Sequence, residues 1–242
     1  MKSFAASLSF VGLFIFTQPV FAFNVHDALA HTLVVGASIS YGYDSVSGGI
    51  QPDPSTILAS RYQQQSGVIK RTAPGKNSAE ILNLIQSSDL PKVSITIGLD
   101  LFFWDSILQW GDCDAAVSRV KTVYTEVHGR HIPWVLGRIP DLGFRQNCVA
   151  SLNQKIDQLC SQDANCRLID FPKIVNQMKR DGGIKLYGTF YTPKEIQPDG
   201  VHLSRVASEW IADLLDAAID GRSSPYIIFG KSHTKSSLIT KY

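Results

Sequence analysis

Five short apolar runs, spaced by stretches long enough for helices, constrain this chain more than any other feature. They are Thr32 to Val35, Val68 to Thr72, Val93 to Ile97, Trp134 to Leu136 and Arg167 to Phe171. Several are rich in Val and Ile without polar alternation, as strands covered on both faces should be. Between them lie the helical candidates Thr56 to Gln65, Ser78 to Gln86, Ala115 to Val127 and Cys148 to Leu159. A last helix, Arg205 to Ala218, carries Val206, Trp210, Leu214 and Ala218 at four-residue spacing, with Ser204 before it as N-cap. Strand and helix alternating in this way imply an α/β fold, a parallel sheet with helices on both faces. In such sheets the binding crevice lies beyond the carboxyl ends of the strands, and chemistry is sought there.

The chain has 242 residues, 44% of them hydrophobic and 18% charged, which suits one globular domain with a continuous core. The net charge of +2, with Lys and Arg scattered among acids, argues against a nucleic-acid partner. Residues 1–22 read as a signal peptide. Lys2 precedes an apolar run from Phe4 to Phe16, Gln18-Pro19 breaks it, and Val20-Phe21-Ala22 offers small residues for cleavage. An uncleaved N-terminal anchor is the rival reading. The mature domain is expected over 23–220, with a polar tail over 221–242 in which Tyr226 to Phe229 is either strand-like or disordered. No other segment has the length and apolarity of a membrane span. Export, to a periplasm or to the medium, makes the four cysteines interpretable as staples. Cys160 could pair with Cys166 and Cys113 with Cys148, one of three connectivities the count allows. Their spacing does not suit a metal, and no metal site is expected.

Two motifs fall at strand ends. Val34-Val35-Gly36-Ala37-Ser38 runs a buried strand into a Gly-x-Ser turn, which places a serine hydroxyl at the carboxyl edge of the sheet. Pro198-Asp199-Gly200-Val201-His202-Leu203-Ser204 stands just before the last helix. An Asp three residues before a His can fold back and accept the imidazole Nδ1–H, leaving Nε2 to take a proton from a serine. The order Ser, Asp, His also occurs in α/β-hydrolases. Their elbow needs Gly-x-Ser-x-Gly, however, and Ser40 occupies its last position here.

On these residues the chain resembles the SGNH hydrolases, also called GDSL esterases and lipases. Gly36-Ala37-Ser38 is similar to their first block, and Asp199 to His202 to their final D-x-x-H block. The resemblance implies a three-layer α/β/α sandwich of flavodoxin-like type and a catalytic triad of Ser38, His202 and Asp199. It also implies an oxyanion hole of three donors: the Ser38 N–H, a glycine N–H matched by Gly75, and an asparagine side chain. At the asparagine position Ile97-Gly98-Leu99-Asp100-Leu101 carries Asp100 instead. Three arrangements reconcile an aspartate with that hole: burial keeps it protonated, it points away, or Asn77 supplies the amide. Ala37 stands where the first block usually has Asp.

The activity implied is hydrolysis of carboxylic esters through an acyl-enzyme, without a cofactor. Lipids, envelope glycans or small molecules would supply the ester, and the protein would act as a monomer. Tyr41 and Tyr43, just past the nucleophile, are placed to touch substrate. Phe102, Phe103, Trp104 and Trp110 read as core or as an acyl groove. Two other functions share this fold: an acyltransferase delivering to a sugar hydroxyl, and a non-catalytic envelope binding protein.

Overall fold

The computed structural model describes residues 22–107 and 112–231. Nearly all of the expected leader, Trp110 and the last residues of the tail lie outside them. In chain order the first half holds α1 (Val25–Leu29), β1 (Thr32–Gly36), α2 (Ser38–Tyr41), α3 (Pro54–Arg61) and β2 (Val68–Thr72). It continues with α4 (Ser78–Leu82), β3 (Ile95–Gly98) and α5 (Phe103–Ile107). The second half holds α6 (Cys113–Gly129), β4 (Trp134–Gly137), α7 (Gln146–Cys160), β5 (Cys166–Ile169) and α8 (Phe171–Asp181). A hairpin of β6 (Ile184–Leu186) and β7 (Thr189–Tyr191) follows, then α9 (Pro193–Ile196), α10 (Arg205–Ile219) and β8 (Ile227–Phe229).

The main sheet has the order β2-β1-β3-β4-β5-β8, parallel except for β8, which runs antiparallel to β5. β1 pairs with β2 on one side and β3 on the other, so Thr32 faces both Val68 and Ile95. That is the reversal point of a doubly wound sheet, where the ligand crevice opens. β1, β3, β4 and β5 are buried at every position, as strands of mainly apolar sequence covered on both faces are, with Arg167 the one charged residue among them. The edge strand β2 is only half-buried, which is why it tolerates Lys70 and Arg71. Those two pair with the buried carboxylates of Asp53 and Asp89.

Two cores flank the sheet. One packs α1, α3, α8 and α10 against Ile95, Ile97, Val135 and Ile169. The other packs α4, α5, α6 and α7 against Leu33, Val35, Trp134 and Leu168. This is the three-layer α/β/α sandwich.

Several boundaries differ from the sequence reading, α3 and α4 among them ending early at Arg61 and Leu82. β3 starts at Ile95 because Leu90–Lys92, with Pro91 inside it, forms a 3-10 turn ahead of it. β5 ends at Ile169 because the Asp170 side chain caps α8, whose first turn holds Pro172, so Phe171 is helical. The segment from Tyr226 contributes β8, so the strand-like alternative holds for it. Disulfides join Cys113 to Cys148, Cα atoms 5.7 Å apart, and Cys160 to Cys166, 5.2 Å apart. No helix of the described residues is long and apolar enough to cross a membrane.

Candidate active site

Ser38 opens α2 where β1 leaves the sheet. The turn is tight enough to exclude side chains: a Cβ on Gly36 would lie 2.3 Å from both Asp100 Oδ1 and Ser40 Oγ. α2 is one turn long and stops at Gly42, whose φ of 90° suits glycine. There a Cβ would lie 2.1 Å from the Gln51 carbonyl oxygen.

Asp100, just past β3 on the adjacent strand, organises this elbow. Its Oδ1 accepts the Ala37 N–H at 3.0 Å, the Ser40 N–H at 3.3 Å and the Ser40 hydroxyl at 2.6 Å. Its Oδ2 accepts the Ile39 N–H at 2.7 Å. The carboxylate thus engages every amide from 37 to 40 except that of Ser38. Of the three arrangements set out for Asp100, this geometry fits the one in which it points away from the hole: both oxygens are turned into the elbow, and their four donors suit an acceptor. Burial pushes the Asp100 pKa upward, against the pull of these hydrogen bonds.

Ser38 itself is only 1% exposed, and its hydroxyl has no hydrogen-bond partner among the described residues. Buried polar groups are nearly always paired, and an orphan calls for a functional reason.

His202 is held from three sides. Gly200, at φ 82°, turns the chain so that Asp199 Oδ1 accepts the Val201 N–H at 3.0 Å and the His202 N–H at 2.8 Å. Asp199 Oδ2 lies 2.5 Å from His202 Nδ1, which makes Nδ1 the protonated nitrogen and leaves Nε2 as a base. Partial burial raises the Asp199 pKa, but the His202 ring and the two amides outweigh it and hold the carboxyl below its usual range. Tyr43 packs edge-on against the imidazole, ring centroids 4.7 Å apart. The Tyr43 N–H donates to the Ser38 carbonyl at 2.9 Å, so one residue touches both halves of the site. Gln51 adds a second tie, bonding Gly42 through its N–H at 2.8 Å and the Leu203 carbonyl through its amide at 2.7 Å.

Gly75 occupies an exposed turn at φ 68° with open space around it. The Ala73 N–H donates to the Gly36 carbonyl at 3.1 Å, which lays this turn beside the elbow. Asn77 is the N-cap of α4, its side-chain oxygen accepting the Glu80 N–H at 3.1 Å while Glu80 reciprocates. Behind it Asp105 accepts the Ser78 N–H at 2.9 Å and an Arg119 nitrogen at 2.7 Å, anchoring the start of α4. Tyr41 ends α2 half-buried. Phe102 and Phe103 are buried, and Trp104 packs against Phe103 with centroids 5.5 Å apart. No cluster of His, Cys, Asp and Glu among the described residues could hold a metal ion.

Sequence reasoning missed Ser40 as a partner of Asp100, and Gln51 and Tyr43 as ties between the two loops, although it placed Tyr43 near substrate. One signal was present: the two departures from the family blocks, Ala37 and Asp100, are hydrogen-bonded to each other.

No protein-family model and no curated protein matches the sequence. Solved structures do match the fold. A lipase/acylhydrolase from Enterococcus faecalis aligns at 22% identity with a TM-score of 0.57, covering 81% of this chain and 97% of that one. The psychrotrophic esterase EstA from Pseudoalteromonas sp., inhibited by monoethylphosphonate, aligns at 15% identity with a TM-score of 0.58, covering 79% and 97%. A GDSL-like lipase from Bacteroides thetaiotaomicron aligns at 14% identity with a TM-score of 0.53, covering 80% and 89%. In fold, this chain is similar to these lipase and esterase structures, one of them a GDSL-like lipase.

Proposed function

We propose that the protein is an exported carboxylic ester hydrolase with Ser38 as nucleophile, His202 as general base and Asp199 as the residue that orients it. The observation that carries this reading is the state of Ser38. Its hydroxyl is buried without a partner among the described residues, and its N–H is the one amide from 37 to 40 that Asp100 leaves alone. Acyl transfer needs a hydroxyl that no competing acceptor holds, so that the His202 base can take its proton, and an N–H left over to hold the oxyanion.

His202 Nε2 takes the Ser38 proton as Oγ attacks the ester carbonyl. The Ser38 and Gly75 N–H groups stabilise the oxyanion, and the Asn77 NH2, which its cap does not use, is the candidate third donor. Collapse of the tetrahedral intermediate breaks the bond to the alkoxy group, which leaves with the proton from His202. Water, deprotonated by His202, then attacks the acyl-enzyme and releases the acid and free Ser38. Asp199 keeps the imidazole in the required tautomer throughout. The likeness to esterases and lipases supports ester chemistry, and two disulfides accord with export.

Hydrolysis of p-nitrophenyl esters by purified wild type and Ser38→Ala tests the assignment. Activity is expected in the first and a loss of at least about 10³-fold in the second. Full activity in Ser38→Ala would remove Ser38 from the mechanism.

A further inference from the structure

We infer that the acyl side of this site admits an acetyl group and little more, with Phe171 and Val175 as the wall that sets the limit. This rests on the serine-hydrolase reading above.

A cavity of about 20 Å³ lies at the carboxyl ends of β3 and β4. Its lining includes Ile39, which follows Ser38, together with Val201 and Leu203, which flank His202. Ser38 and His202 do not line it themselves; these neighbours place it beside them, on the side we assign to the acyl group. The other walls are chiefly apolar, with Leu99 and Phe102 among them, and Asp100, Arg138 and Gln197 are its polar members. A space of this size holds one water-sized group, which a methyl fills.

A second cavity, of about 10 Å³, lies deeper between α8 and α10, against Met178, Trp210 and Ile211. Phe171, Val175, Gln197 and Leu203 line both cavities, so these side chains are the partition between them. The Phe171 ring is pushed against the end of β4, 2.7 Å from where a Cβ on Gly137 would stand. Glycine at 137 is what lets the ring close the chamber. A longer acyl chain would have to displace the partition in a closely packed core. Apolar pockets discriminate a single methylene by about 10- to 200-fold.

The test compares kcat/KM for p-nitrophenyl acetate, butyrate and octanoate in wild type, Phe171→Ala and Val175→Ala. Val175→Ala is the milder change and keeps the comparison available if Phe171→Ala does not fold. Wild-type Ser38 is labelled in parallel with an ethyl fluorophosphonate. The expected result is a fall of at least tenfold from acetate to butyrate in wild type, with octanoate lower still. Opening the partition should raise the butyrate-to-acetate ratio by at least tenfold. A labelled Ser38 with equal rates on all three esters would overturn the inference alone, as would wall variants that leave the ratio unchanged. No labelling and no hydrolysis of any ester would overturn the serine-hydrolase reading and this inference with it.

Discussion

The Tyr43 and His202 rings meet edge to face with centroids 4.7 Å apart, while the Tyr43 backbone N–H holds the Ser38 carbonyl. A single residue thus couples the end of α2 to the loop before α10, segments far apart in sequence. Tyr43→Ala should lower kcat by about 10- to 100-fold through loss of alignment, as misplacement of about 1 Å does. Tyr43→Phe keeps the ring and should retain most of the activity. Steady-state kinetics on both variants checks this, and equal effects of the two would point to the hydroxyl instead.

Asp100 should matter for stability and activity together. Asp100→Ala leaves three elbow amides and the Ser40 hydroxyl without their acceptor, a loss of at least about 4 kcal/mol at about 1–3 kcal/mol per unsatisfied group. Asp100→Asn brings in the residue the family pattern carries, yet it sets an NH2 group against donors. It should cost about 1–3 kcal/mol and lower kcat rather than raise it. Denaturant unfolding and ester kinetics measure both, and an Asp100→Asn protein as stable and active as wild type would contradict the role assigned to the carboxylate.

The Asp199 carboxyl is held below its usual range, so it binds protons less readily folded than unfolded. Its contribution to stability is therefore present above the unfolded pKa of about 3.9 and is lost as pH falls through the lower folded value. The Tm difference between wild type and Asp199→Asn should be constant from about pH 5 upward and shrink below about pH 4. Activity should fall by up to about 10⁴-fold in Asp199→Asn, because an amide no longer selects the Nδ1–H tautomer.

The two disulfides should differ in weight. Cys113–Cys148 closes a loop with a separation of 35 residues and Cys160–Cys166 one of 6. Chain-entropy reasoning gives about 4 kcal/mol for the first and about 2 kcal/mol for the second. Serine replacements of each pair, compared by denaturant unfolding, should rank in that order.

Much of this architecture was legible because the strands announce themselves. Short apolar runs placed β1 and β4 almost residue by residue, and the Ser204 cap with the spacing of Val206, Trp210 and Leu214 placed α10. Asp199 and His202 were legible because their bond is local, closed by Gly200 within one turn. The function of Asp100 was not, because it depends on β3 lying beside β1, a pairing between segments about sixty residues apart. α8 was passed over because Phe171 extends an apolar run that reads as strand until Asp170 and Pro172 are recognised as a helix start. β8 gains its meaning only from β5, whose open edge it covers.

The central claim is that Ser38 is an activated nucleophile, and covalent capture measures it most directly. Wild type, Ser38→Ala and His202→Ala would be incubated with an ethyl fluorophosphonate and the modified peptide mapped by mass spectrometry. The account predicts stoichiometric modification of Ser38 in wild type, none at that position in Ser38→Ala, and labelling slowed by at least about 10²-fold in His202→Ala, since a general base contributes about that much or more. Folded wild type that takes no label, or that carries it on another residue, would contradict it.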